Sequence, residues 1–259
     1  RIEVDSQQGR ITAMRLCQPG KPSQLLVRYN YDDQGHLTEV YDALGVPYRF
    51  VYRDNLLVEH KNRNGLSFYY EYDKYTPEGR CIHTWGDGGL YEERFVYHDD
   101  KNTVEVTGAL GTTTFLYDDR YLVLEETDPL GGVTKYEYDE YGRTTAVVDP
   151  DGHRTEYAYD RAGNLIKLTR PDGATIITEY NADYRPLQIT DPNGVVWKQE
   201  WNDKGELIRQ TSPLGAATQY RYDEKGGLSE LIDPLGIRHP DQVAAAVEFK
   251  PAAVAQGVD

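Results

Sequence analysis

The sequence predicts an all-β repeat protein, a long antiparallel sheet of stacked hairpins that spirals into part of a hollow shell. Aromatic residues recur with spacings of 21, 20, 25 and 20 residues and then 21 residues five times in succession. A fixed period of this size is typical of repeat architectures, in which each unit buries its apolar surface only against its neighbours. The recurring aromatic residues, called anchors below, are Tyr31, Tyr52, Tyr72, Tyr97, Tyr117, Tyr138, Tyr159, Tyr180, Trp201 and Tyr222.

One repeat is predicted to contain two short strands and two turns. Residues 135–138 alternate polar and aromatic side chains, as in a half-buried strand, and the β-branched residues of 143–148 indicate a return strand. Asp139 and Gly142 favour a turn between the strands, and 149–152, Asp-Pro-Asp-Gly, fits a type I turn. A proline and a glycine in each period exclude a continuous helix. The prolines at this spacing are Pro129, Pro150, Pro171, Pro192, Pro213 and Pro234. Equivalent turns are predicted to close at Gly131, Gly152, Gly173, Gly194, Gly215 and Gly236.

The anchors are predicted to form one aromatic face of the sheet. Residues two apart in a strand point to the same face, so Tyr136 and Tyr138 share it, as do Tyr157 and Tyr159. We expect such pairs from successive repeats to be cross-strand neighbours, each stabilising the sheet by roughly 0.2–1 kcal/mol, with their hydroxyl groups in water. About 20 strands spaced ~4.8 Å apart would extend for ~100 Å, a length at which a sheet curls or closes. The structural positions predicted from this pattern are Tyr31, Tyr72, Tyr117, Tyr138, Tyr159, Tyr180 and Tyr222.

Composition excludes several classes of partner and site. The net charge of −15 disfavours nucleic acid, and no apolar stretch reaches the ~20 residues that span a bilayer. No secretory leader is expected in this segment, which begins without Met. The six histidines are dispersed, and the acidic pairs fall in repeat turns. The sequence therefore predicts no catalytic residue, no metal site and no cofactor.

The period divides the chain into three predicted segments. Residues 1–28 are expected to be a divergent N-terminal β segment, 29–238 the repeat array, and 239–259 an Ala-rich tail with a short helix over 242–250 or a linker. Between Tyr72 and Tyr97 the spacing lengthens to 25 residues. We therefore expect a loop or bulge near the glycine-rich stretch at 85–89.

Two short motifs resemble the YD repeat of the Rhs (rearrangement hotspot) proteins. The first is tyrosine-aspartate followed by glycine, as at 31–35, 138–142, 159–163 and 222–226, and the second is Asp-Pro-x-Gly, as at 128–131. The resemblance extends over about residues 29–238. It implies a hollow β-shell that encapsulates a toxic polypeptide at the C-terminus of the parent protein. The C components of insecticidal toxin complexes and the teneurins are similar.

The resemblance implies a non-enzymatic shell fragment of an Rhs-type toxin or effector. The expected partners are the parent's own C-terminal toxin domain as cargo and the remaining shell segments. A secretion-apparatus spike, such as that of type VI secretion, and a chaperone would bind through other regions. The protein would be made in the bacterial cytoplasm and exported. The residues after Gly236 do not match the family's autoproteolysis region, so no catalytic aspartate is carried over.

Two other functions remain open. A carbohydrate- or cell-wall-binding repeat module would also combine aromatic residues with glycine, but such modules favour tryptophan, of which this chain has three. A teneurin-like adhesion ectodomain is the other alternative, for which we expect glycosylation, yet the sequence contains no Asn-x-Ser/Thr motif.

Overall fold

The computed structural model of the chain describes residues 1–239 and confirms the all-β prediction. These residues contain 23 strands and one three-residue 3-10 helix, Asp87–Gly89. The helix expected over 242–250 lies outside the described residues. The chain divides into two compact units, Arg1–Val133 and a second that starts at Thr134. This division falls inside the predicted repeat array.

The first unit is an antiparallel sheet of twelve strands, in which each strand pairs with its neighbour in sequence. The strands are β1 (Ile2–Gln7), β2 (Arg10–Leu16), β3 (Gln24–Tyr31), β4 (Leu37–Asp42), β5 (Pro47–Arg53), β6 (Leu56–Lys61), β7 (Ser67–Tyr72), β8 (Cys81–Gly86), β9 (Leu90–His98), β10 (Thr103–Gly108), β11 (Gly111–Tyr117) and β12 (Val123–Thr127). Strands β1, β2 and the first part of β3 lie within residues 1–28.

The second unit repeats the same antiparallel pairing over eleven shorter strands. They are β13 (Val133–Tyr138), β14 (Thr144–Val148), β15 (Arg154–Tyr159), β16 (Leu165–Thr169), β17 (Thr175–Tyr180), β18 (Pro186–Thr190), β19 (Val196–Trp201), β20 (Leu207–Thr211), β21 (Ala217–Tyr222), β22 (Leu228–Ile232) and β23 (Arg238–His239). Each predicted repeat is thus one anchor strand, which ends at an anchor, and one return strand.

The two turns of a repeat have the same hydrogen bonds, although their sequences differ. Gly142 N donates to Asp139 O (3.1 Å) and Asp139 N to Arg143 O (3.0 Å). The Asp139 side chain also accepts from the backbone N–H groups two and four residues later. Asp149 makes the same set, with Gly152 N to Asp149 O at 2.9 Å. Each is therefore a type I turn closed by a residue with positive φ, a common three-residue hairpin loop.

A β-bulge accompanies nine of the ten anchors, which the sequence did not predict. In β13 the register shifts between Glu137 and Tyr138, and the same shift precedes every other anchor except Tyr97. A bulge bends the strand and increases its twist. It therefore changes the direction of the anchor side chain relative to the side chains before it in the strand. The repeat therefore imposes a bend at a fixed place in each hairpin.

Neither unit has the thick core of a globular domain. Among the described residues the buried apolar side chains are Ala13, Ala146, Leu168 and Ile232, and no large side chain is fully buried. In β15 the exposed residues Arg154, Glu156 and Ala158 alternate with half-buried ones that end at Tyr159. The face of each sheet that carries the anchors, called the anchor face below, is therefore half-buried, and the other face is charged and more exposed.

The irregular repeat between Tyr72 and Tyr97 differs from the regular ones at two places. The glycine-rich stretch forms the predicted loop, in which Asp87 accepts hydrogen bonds from Ser67 N (2.9 Å) and the Tyr69 hydroxyl (3.0 Å). A second enlarged turn, which was not predicted, joins β7 to β8 over residues 73–80. The additional residues are therefore shared between the turns on both edges of the sheet.

Candidate functional site

Six of the ten anchors donate hydrogen bonds to backbone carbonyl groups of the preceding repeat. The Tyr222 hydroxyl donates to Leu207 O at 2.9 Å, and the Trp201 indole N–H to Pro186 O at 2.7 Å. The expectation that these hydroxyl groups face water is therefore wrong for five tyrosine anchors, because each ring lies against the neighbouring strand. The other bonds of this kind are Tyr31 to Ile11 O, Tyr72 to Leu57 O, Tyr97 to Cys81 O and Tyr180 to Leu165 O.

Arginine side chains, and in one case a histidine ring, cover several anchor rings from the preceding repeat. The Arg143 guanidinium lies 4.9 Å from the centroid of the Tyr159 ring, and the His36 ring stacks on Tyr52 at 4.7 Å. Such cation–π contacts stabilise by about 0.5–1 kcal/mol at exposed sites. The other covered anchors are Tyr31 by Arg10 (5.8 Å), Tyr97 by Arg80 (4.6 Å) and Trp201 by Arg185 (6.0 Å).

The turn aspartate of one repeat holds the side chain that covers the next anchor. Asp139 Oδ2 accepts from Arg143 Nε at 2.6 Å, and Arg143 Nη1 donates onward to Asp160 O at 3.0 Å. His36 Nδ1 lies 2.9 Å from Asp32 Oδ2 in the same way. These basic residues were not predicted from the sequence. Their signal is a basic residue directly after the residue that closes the turn; it lies 16 residues before the anchor for His36, Arg143 and Arg185, and 17 residues before it for Arg80.

The aromatic residues of successive repeats are not cross-strand neighbours, so that expectation is wrong. Tyr157 lies opposite Leu168, and Tyr220 opposite Leu231. The reason is that a return strand separates every two anchor strands, which places their aromatic residues about 9.6 Å apart. Contact between repeats therefore runs through hydrogen bonds and cationic side chains rather than through stacked tyrosine rings.

The predicted tyrosine positions are distributed along the sheet, one in each repeat, and do not converge on a cleft. Tyr138 lies opposite Thr144, and Tyr117 stacks on Tyr121 with ring centroids 5.8 Å apart. Burial raises the pKa of the Tyr180 and Tyr222 hydroxyl groups. Neutral, half-buried phenols that bind a neighbouring carbonyl favour a structural role over acid-base chemistry.

The predicted turn glycines lie on the edge of the sheet with open space around them. Their φ angles are positive, and no atom lies within 4 Å of a Cβ built on any of them. A side chain there is disfavoured by the backbone conformation alone. These glycines are Gly131, Gly152, Gly173, Gly194, Gly215 and Gly236.

Ion pairs cover the second face of the sheet. Arg154 binds both carboxylate oxygens of Glu137 (2.6 and 2.9 Å) and one oxygen of Glu156 (3.0 Å), and the first of these contacts lowers the pKa of Glu137. Glu230 lies between Arg221 (3.2 Å) and Arg238 (3.1 Å). These charges are largely paired across strands, so they keep this face hydrated without concentrating one sign of charge.

In residues 1–239, no three or more His, Cys, Asp or Glu side chains are grouped so that they could bind a metal ion. Those residues likewise include no helix long and apolar enough to cross a membrane.

Comparison with known proteins relates this architecture to toxin shells. Two curated proteins are similar: toxin protein Tse5 of Pseudomonas aeruginosa, 40% identical over 87 residues, and the probable deoxyribonuclease RhsB of Dickeya dadantii, 33% identical over 119 residues. These matches cover 33% and 45% of this chain but only 6% and 8% of the relatives. The chain therefore corresponds to a small part of much longer proteins.

Solved structures share the fold at low sequence identity. The crystal structures of TcdB2-TccC3-TEV and TcdB2-TccC3 superpose with TM-scores of 0.58 and 0.57 at 16% identity. Each covers 87% of this chain and 15% of the other. The RHS Repeat family matches residues 31–67, and the Teneurin YD-shell family matches 97–237, more than half of the 259 residues. The chain belongs to the YD-shell family.

Proposed function

We propose that this chain is a non-enzymatic wall segment of an Rhs-type toxin, which encloses a toxic polypeptide at the C-terminus of the parent protein. The wall would keep that polypeptide away from the producing cell until delivery. Membership of the YD-shell family and the local similarity to the toxin protein Tse5 and the probable deoxyribonuclease RhsB support this function. Enclosure requires a continuous wall, and no single residue has to perform chemistry.

The main support for the proposal is the set of hydrogen bonds between repeats. Each unit is an antiparallel sheet without a thick core, and anchors such as Tyr180 and Tyr222 fix one repeat to the strand before it. A sheet held in this way presents two extended faces. Such a structure suits a barrier better than an active site.

The proposed partners follow from this role. The toxin domain of the same parent protein would be the cargo, and other shell segments would complete the enclosure. A secretion spike and a chaperone would bind outside this segment, and the whole protein would be made in the bacterial cytoplasm and exported. The net charge of −15 favours a basic cargo over nucleic acid.

The experiment compares protease access to the C-terminal region of the full-length parent protein. The test variant replaces Tyr180 and Tyr222 by Ala, which removes two bonds between repeats together with their rings. We expect the C-terminal region to be cleaved at protease concentrations at which the parent protein protects it.

A matched control replaces two tyrosines that are largely exposed. Tyr141 is 75% exposed and Tyr184 is 63% exposed, so their replacement by Ala removes the same number of rings from the surface. This control should protect the C-terminal region as well as the parent does. Equal protection in the test variant and the control would contradict the proposed wall function.

A further inference from the structure

A groove opens on the anchor face of the first unit, beside the turns that connect β9 to β10 and β11 to β12. Its volume is about 780 Å³, and apolar side chains such as Val104 and Phe115 form part of its lining. The rings of Tyr97, Tyr117 and Tyr121 also line it. A concave, largely apolar surface with a few polar groups is the usual form of a binding site.

The groove occurs where the covering cation of the repeat pattern is missing. The register of β14 and β15, continued toward the turn, places Arg143 opposite Tyr159, whose ring it covers. In β10 and β11 the same continuation places Asn102 opposite Tyr117, whose N–H donates to Asn102 O at 3.0 Å. An asparagine is too short to cover the ring, and it carries no charge. Within residues 1–239 no arginine lies over the Tyr117 ring.

The chain itself therefore shows which chemical group fits an anchor ring. Four anchors are covered by a guanidinium and one by an imidazole. The planar guanidinium group stacks on aromatic faces more readily than the compact lysine ammonium. A ligand that supplies an arginine would give Tyr117 the contact that Arg143 gives Tyr159.

The charge of the rim favours the same ligand. Asp99, Asp118 and Asp119 line the groove. Asp99 pairs with Arg80 (2.6 Å) and Asp118 with Arg120 (3.0 Å), but Asp119 has no ion pair among the described residues. One rim carboxylate is therefore left to attract a cation.

Tyr121 is held at the rim in an unfavourable backbone conformation. Its φ of 61° is left-handed, at the place where the equivalent turn after Tyr138 has Gly142. A bulky residue with positive φ is strained, and such residues often occur at binding sites. Tyr121 is 83% exposed, so burial of its side chain does not offset the strain.

We propose that this groove binds an arginine side chain of a basic polypeptide, with the guanidinium on the Tyr117 ring and the apolar flanks of the peptide on Phe115 and Val104. Asp119 supplies the negative charge at the rim. The identification of this polypeptide with the enclosed cargo rests on the function proposed above, whereas the binding itself does not.

The test is an amide NMR titration of the 259-residue chain with a five-residue peptide that carries arginine between two valines. Amide signals of residues 97–123 should shift. A peptide with citrulline, which keeps the shape and removes the charge, should bind about tenfold more weakly, because it cannot make the cation–π interaction with Tyr117. Equal binding of the two peptides, or no shift with either, would overturn the proposal.

Variants of the chain separate this groove from the rest of the sheet. Asn102→Arg should abolish peptide binding, because the new side chain covers Tyr117 from within the chain. Asn102 has a φ of 52°, so the melting temperature of this variant is compared with that of the parent chain. Asn164→Arg is the control for the register, since Asn164 lies opposite Tyr180 as Asn102 lies opposite Tyr117. It should leave binding unchanged. If both variants weakened binding equally, the groove would not be the site.

A third variant distinguishes binding from folding. Tyr121→Gly removes one ring of the groove and relieves the left-handed strain, so the melting temperature should not fall while peptide affinity drops severalfold. Unchanged affinity would exclude Tyr121 from the site. A disaccharide that shifted the signals of residues 97–123 when the arginine peptide did not would replace this proposal with a carbohydrate site.

Discussion

The hydroxyl group of Tyr222 offers a direct test of the bonds between repeats. Tyr222→Phe removes one oxygen atom and keeps the ring, so it deletes the 2.9 Å hydrogen bond to Leu207 O and leaves the packing of the ring in place. An intramolecular hydrogen bond contributes about 1 kcal/mol net, since the unfolded chain bonds to water instead. This corresponds to about a fivefold change in a local opening equilibrium. The amides of β20 and β21 should therefore exchange with solvent about fivefold faster.

The control for this measurement is Tyr159→Phe in the same unit. Tyr159 is also half-buried, but its hydroxyl makes no hydrogen bond to another of the described residues, and its ring is covered by Arg143. Phenylalanine keeps that ring. The free energy of the local opening that allows amide exchange in β15 and β16 should therefore change by less than about 0.3 kcal/mol. The measurement is native-state hydrogen exchange of both variants, each compared with the parent chain. Equal acceleration in the two variants, or none in Tyr222→Phe, would refute the assignment of the Tyr222 bond as a link between repeats.

Three further predictions concern the turns and the covering cations. Gly173→Val should destabilise its turn by about 1–2 kcal/mol, because φ is +81° there, with faster hydrogen exchange confined to its own and adjacent repeats. Arg143→Gln should lower the free energy of unfolding, measured with urea, by about 0.5–1 kcal/mol. The double variant with Tyr159→Leu should lose less stability than the sum of the losses in the two single variants. The hydrogen bond from Asn164 lowers the folded-state pKa of Asp160, so its stabilisation is present above the unfolded pKa of about 3.9 and lost as pH falls through the folded pKa. Asp160→Asn should therefore flatten the dependence of melting temperature on pH below about pH 4.

The strands and turns were predictable because their causes are local. Alternation identifies β13 within six residues, and Asp149 with Gly152 specifies a turn within four. The turn after Tyr138 was predicted from the same two residue types, and both loops have the predicted positive φ at glycine. Features whose causes lie within one hairpin were therefore accessible from the sequence.

Interactions between repeats were not predictable in detail, because they depend on register. The Tyr222 hydroxyl reaches Leu207 O, 15 residues away in sequence, because antiparallel pairing places β20 beside β21. The sequence indicates that an aromatic residue recurs, but the atom it binds is fixed by pairing with the preceding strand. The expected tyrosine ladder failed for the same reason, since a return strand separates the rings.

The same register explains why a binding groove can arise in a wall without disrupting it. At Tyr159, one arginine serves the turn through Asp139 and the next repeat through the ring. At Tyr117 the backbone N–H still donates to Asn102 O, so the sheet continues. The Asn102 side chain, however, does not cover the Tyr117 ring. Stability in a repeat array is a sum of local and nearest-neighbour terms. The absence of one cation–π contact therefore has little effect on the stability of distant repeats. A wall built from near-identical units can therefore leave one anchor ring open without interrupting the sheet.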